Sequence, residues 1–339
     1  MKRKQRFFKL SAIVGCILLG AGMLLCGAGF VAMGCDLDAF TYPRGGEPVA
    51  ASSFVVADAV DSIEIHASMG DVKIERASAA SPEDVEIILA EKAYQVVVQH
   101  GLLLVMPQKS LGGHSGWNWY QLLNLHSNRD WDVTIRVPEK LLDSVFVETS
   151  MGTADLSDLE AASVTVQGHM GDVTLDNVSA SESMTVTQSM GRVTMENCQG
   201  GALLLENDMG DTDVANGSFT QGQITARFGS VGVAGSDFTA LTVDNDMGDV
   251  TLVSTQVSGA ASCSVSMGSI DLDAFASPDI TLSADSGDVT GTIAGRQEEY
   301  QIAVDTDMGS SNLADQMTGG PNTLEVTTNM GNIELAFEE

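Results

Sequence analysis

A Met-Gly pair returns along this chain at intervals of about twenty residues. It stands at residues 151, 170, 190, 209, 228, 247, 267, 286, 308 and 330, reading Phe228-Gly229 and Ser286-Gly287 at two of these, with an early copy at Met69. A fixed period of this size marks a solenoid. Aligned on the Met, apolar residues fall six and four places before it and three and five after it. Around Met170 these are Val164, Val166, Val173 and Leu175; around Met330 they are Leu324, Val326, Ile333 and Leu335. Alternation with period two on both sides of a break predicts two half-buried strands per copy. The eighth place after the Met is often apolar too, as at Leu159, Val178, Cys198 and Phe275.

Such a unit cannot fold alone. Ordering nineteen residues costs roughly 20–40 kcal/mol of backbone entropy. Half a dozen inward side chains return only about 1.5–3 kcal/mol each. Stacked neighbours supply the missing ladder bonds and close the core. The expected fold is therefore all-β: a single-stranded β-solenoid, or β-helix, with coils of about 19–20 residues. Gly follows the corner residue in every copy, which suits a step needing positive φ or close backbone approach. The corner ladder Met151, Met170, Met190, Met209, Phe228, Met247, Met267, Met308 and Met330 is expected to point inward and fill irregular gaps. Inward Mets read as core rather than as a soft-metal ladder.

Charge and hydropathy divide the chain before the repeats begin. Residues 1–9 carry five basic groups and no acidic one, and residues 10–34 carry no charge at all. Twenty-five such residues suffice to cross a bilayer, and the run exceeds a signal peptide's apolar core. We read 1–9 as a cytoplasmic segment, 10–34 as one transmembrane helix and 35–53 as a linker. Residues 54–339 form the extracytoplasmic body, since the basic flank stays inside. The formal net charge is −30, so everything beyond the basic start carries about −35. A body this acidic is not a nucleic-acid binder. Only Cys198 and Cys263 lie in it, about four coils apart, so no disulfide framework is expected.

Residues 78–144 interrupt the period. Strands are expected on either side of a hairpin turn at His100-Gly101. A long segment then holds Trp117, Trp119, Tyr120 and Trp131. It reads either as a cap on the solenoid or as a binding loop for a partner, a glycan or a membrane surface.

The residues beside the corners alternate in charge. Asp172, Arg192 and Asp211 stand two places after successive corners, and Asp208, Arg227 and Asp246 one place before. Skipping coils separates like charges, and each Arg is expected to draw Asp neighbours together. The acidic face is a candidate for divalent cations. However, the "DLD" and "DTD" triplets lack the spacing of a calcium loop. No phosphate-cradling glycine loop, zinc-protease motif or nucleophile elbow is present. We expect no enzyme, no cofactor and no metal centre.

"VDSIEIHASMGDVKIE", "DVTIRVPEKLLDSVFVETSMGTADL" and the "MGDVTL"-like run resemble a bacterial family of putative adhesins, β-strand-repeat domains of unknown function, over residues 54–339. The resemblance implies a module held outside the membrane on one N-terminal anchor, with no catalytic residues to transfer. Three functions stay open. The first is a binding or structural module at the cell envelope, contacting a glycan or a protein. The second is a sensor or regulatory accessory of an envelope-stress system. The third is a polysaccharide-acting β-helix enzyme.

Overall fold

The computed structural model describes residues 52–56, 59–77, 84–90, 93–108, 131–316 and 320–338. The proposed transmembrane segment 10–34, its flank 1–9, and Trp117, Trp119 and Tyr120 lie outside the described residues.

Each regular coil contributes strand on both sides of its corner, and equivalent strands of successive coils pair in parallel. Val164 stacks on Val145 and under Met184; Leu175 stacks on Leu156 and under Met195. The residues six and four before the corner, and three, five and eight after it, make the interior. Val164, Val166, Leu175, Val178 and Cys198 are all within 1% of complete burial. Each strand thus has one apolar face packed inward and one wet face.

A second corner, not anticipated from the sequence, lies seven places after the first. Asp158, Asn177, Asn197, Asn216, Gly235, Ser254 and Ala274 all have φ between 47° and 56°. Asn, Asp and Gly tolerate this left-handed region best, and four of the seven are Asn or Asp. Their side chains also link coils: Asn177 Nδ2 donates to Asp158 Oδ1 at 2.6 Å.

The stack departs from chain order at both ends. At the N-terminal end, Ser62–Ala67 pairs in parallel with Leu141–Met151, so the Met69 coil lies directly beneath the Met151 coil. The described strands of the interrupting segment cover the open end. Leu102–Pro107 stacks beneath Ser62–Ala67, and Val133–Val137 beneath Val72–Arg76. Tyr94–Gln99 and Val85–Leu89 then add antiparallel strands, with His100 (φ 52°) and Gly101 (φ 80°) forming the hairpin turn. Antiparallel cover of this kind protects a sheet edge from further pairing. At the other end the last two coils exchange places. Asn322–Met330 pairs with Asp279–Ser286 on one side and with Tyr300–Met308 on the other. The next-to-last strand of the sequence is therefore wedged between two earlier ones.

His66 fastens the first coil to the second. Its Nδ1 lies 2.6 Å from Glu148 Oε2 and its Nε2 2.8 Å from Glu64 Oε1. Burial pulls its pKa down, but the two carboxylates outweigh this and hold the imidazole above its ordinary value. With the folded pKa raised, this contribution is complete below the unfolded value of about 6.5 and is lost as pH rises through the folded pKa. Melting temperature is expected to fall as pH rises from about 6.5 through the raised folded pKa, and His66→Gln to flatten that slope. Equal slopes in the two proteins would remove His66 from the account.

Candidate functional site

The Met-Gly corner is the feature that the sequence repeats, and the structure turns it inside out. Met170, Met190, Met209, Phe228, Met267, Met308 and Met330 are 41–64% exposed, and Met151 and Met247 are half-buried. The expectation of an inward ladder is wrong, and the reason is local. The last inward residue lies two places before the Met, where Thr149, Gln188, Asn207, Asn245 and Thr328 are buried. The strand runs on through the Met and the chain bends at the Gly that follows, and at this end of the strand the Met side chain lies on the solvent side. Gly then takes φ of 123–145° in the Met151 to Met267 coils.

Two sets of polar groups hold this bend. Inside, the buried amides brace the corner carbonyls: Asn207 Nδ2 lies 3.3 Å from Gly191 O and 3.1 Å from Gly210 O. Asn245 Nδ2 reaches Gly229 O at 3.0 Å and Gly248 O at 2.9 Å. One Asn thus serves two coils, and the coil between them carries Ala226 at the same place. Outside, the side chain two places after the corner accepts from the backbone of the next coil. Asp172 Oδ1 takes the Arg192 N–H at 2.8 Å, Asp211 Oδ1 that of Ser230 at 3.1 Å, and Asp249 Oδ1 that of Ser269 at 2.9 Å. These carboxylates are therefore hydrogen-bond acceptors for the stack as well as charges.

The two Arg residues sit among them. Arg192 lies 2.9 Å from Asp211 and 3.5 Å from Asp213. Arg227 lies 3.3 Å from Asp208, and among the described residues it forms no ion pair with Asp246. Arg227 and Asp208 are both more than half exposed, so their pair contributes at most about 1 kcal/mol. Arg227→Asp adds repulsion to that loss. We expect a fall of a few degrees in melting temperature at low salt, largely recovered at high salt. A fall that salt leaves untouched would show that charge is not its cause.

The structure places Trp131 at the covered end of the corner column, where its backbone lies against Gly70. Its ring meets Tyr94 edge-on at 6.4 Å, and the Tyr94 hydroxyl donates toward Trp131 O (2.8 Å) and Met69 O (3.0 Å). Trp131 thus packs over the first corner, at the covered end. A cleft of about 500 Å³ opens about half a coil away in sequence from the ridge, rimmed by Asp237, Gln256 and Asn322. Its floor contains the buried, stacked rings of Phe219 and Phe238, with centroids 5.9 Å apart. Cys198 and Cys263 are buried free thiols, and burial raises the pKa of both. Among the described residues no group of three or more His, Cys, Asp or Glu could hold a metal ion.

An all-β solenoid with a water-facing Met/Phe ridge between carboxylate rows is thus the class that fold and site define. The chain belongs to the Toastrack DUF4097 family, which matches residues 60–336. No curated protein matches the sequence. Among solved structures it is similar to a putative adhesin from Bacteroides fragilis, with 13% identity, 86% of this chain and 100% of that one covered, and a TM-score of 0.37. It is also similar to a putative lipid binding protein from Parabacteroides distasonis, with 13% identity, 85% and 97% covered, and a TM-score of 0.39.

Proposed function

We propose that the solenoid is a binding module displayed outside the cell membrane, with residues 10–34 as its anchor and the corner ridge as its contact surface. One observation carries this reading. The ridge is apolar and continuous through six coils from Met151 to Met247, yet it faces water. An exposed apolar array bordered by polar residues marks an interaction site. The fold does not need these side chains, because the core is closed beneath them by other residues. The outer carboxylates hold the coils in register and keep the ridge regularly spaced. A protein or glycan of the envelope is the partner this location would offer.

The test compares cells displaying the full chain with cells displaying a variant in which Met170, Met190, Met209 and Phe228 are replaced by Gln. Retention on immobilised envelope material is measured, and display is checked by surface labelling. Retention is expected to fall about fivefold or more in the variant at equal display. Equal retention would overturn the ridge as the contact surface.

A further inference from the structure

We propose that the corner ridge carries a site for a soft monovalent cation, Cu(I) or Ag(I), made by the thioethers of Met151, Met170 and Met190 and the imidazole of His169. The proposal does not rest on the binding role above. Were these sulfurs in the core they would be closed to ions; they are not. Met170 and Met190 are 42% and 41% exposed, and Met151 is half-buried.

Register brings the donors together. Met170 pairs directly with Met151 on one side and Met190 on the other. Neighbouring coils lie about 4.8 Å apart. Flexible Met side chains on three successive coils can therefore lean toward one ion at the middle coil. Thioether sulfur is a soft ligand that selects Cu(I)-like ions over hard divalent cations. His169 adjoins Met170 on the same coil, is exposed, and among the described residues has no hydrogen-bond or ion-pair partner. Of the five corners from Met151 to Phe228, only this one has His beside it. The acidic body raises the local concentration of any cation.

Residue choice argues in the same direction. Nine of the sixteen Met residues stand at corners, whereas Leu, Ile and Val, which fill the interior, stand at none. If the ridge needed only apolar contact, those residues would serve as well. What Met alone adds is sulfur.

The experiment uses the full chain in detergent, labelled with ¹³C at the Met methyl groups and treated with iodoacetamide to block accessible thiols. Silver nitrate is titrated in halide-free buffer, and Cu(I) is added anaerobically with ascorbate in a parallel series. The methyl signals of Met151, Met170 and Met190, assigned by single Leu substitutions, are expected to shift together and saturate near about one equivalent, with the His169 ring signals following. Replacing all three Mets by Leu is expected to weaken binding about tenfold or more, and His169→Ala to weaken it less. The Leu variant keeps an apolar ridge, so retention on envelope material should persist in it, which separates this proposal from the one above. Zinc sulfate should leave the methyl signals unmoved. No shift, an equal shift at all corner Mets, the same response to zinc, or undiminished affinity in the Leu variant would each overturn the site.

Discussion

Gly229→Ala is expected to destabilise the protein by about 3 kcal/mol or more, although it adds a single methyl group to a surface corner. Two independent costs meet there. Gly229 has φ of 142°, a conformation that side-chain-bearing residues rarely adopt. A Cβ at this position would also overlap the carbonyl oxygen of Gly210 in the preceding coil. The same overlap recurs at Gly171 on Gly152, Gly191 on Gly171 and Gly248 on Gly229, so the glycines form a column of touching backbones. The Gly229 N–H donates to Met247 O at 2.9 Å, so the chain cannot step aside without losing that ladder bond. Gly232 provides the control. It has no positive φ, and the nearest atom to a Cβ there would be the end of the Asp213 side chain, at 3.2 Å, with Thr212 O at an ordinary 4.0 Å. Gly232→Ala should change stability by less than about 1 kcal/mol. Urea unfolding of the full chain, followed by circular dichroism, measures both. Similar small effects for the two variants would refute the backbone column.

Asn245→Ala should cost about 1–3 kcal/mol, because it strands two part-buried carbonyls at once. Asn245 is only 3% exposed, and its amide is the side-chain donor to both Gly229 O and Gly248 O. Asn207 does the same for Gly191 and Gly210, and the two sets share no carbonyl. The double variant should therefore lose roughly the sum of the single losses. Among the described residues, the Oδ1 atoms of both Asn have no hydrogen-bond partner. Each side chain is thus kept for its donors alone. Asn329, exposed and donating to Asp285 at 3.0 Å, is the comparison, and its replacement by Ala should cost under about 0.5 kcal/mol. An Asn245 variant as mild as the Asn329 variant would mean that the corner carbonyls find other donors.

These two sites show what could be read in the sequence and what could not. The period, the parallel stacking and the inward set around Met170 follow from spacing alone, because burial on a strand alternates strictly. The facing of the Met does not. Counting by twos from Val164 and Val166 passes through the place of Asn207 and Asn245 and reaches the Met, so parity assigns it to the core. The bend comes at the next residue, Gly, and the count fails at the corner. A signal was present: a position that accepts Met, Phe228 and Ser286 is not a packed interior site, and Asn two places earlier is a poor choice unless carbonyls lie beneath the corner. The second corner was equally legible in Asn177, Asn197 and Asn216, whose side chains suit a left-handed turn. The alternation of Asp and Arg was seen, but only coordinates reveal that Asp172 and Asp211 cap the backbone of the next coil.

The exchange of the last two coils sets the order of synthesis against the order of stacking. From the Met151 coil to the Ser286 coil, each new stretch of chain has its lower neighbour already made. The strand Tyr300–Met308 breaks this rule: its ladder partner is Asn322–Met330, which is translated later. It must therefore wait beside the growing stack, with its bridge to Gln316 but without its ladder, until the residues that will separate it from Asp279–Ser286 have been made. A chain stopped at Gly320 would carry every residue of that strand and none of its ladder partner. Assembly of this end thus depends on translation running past the strand it completes.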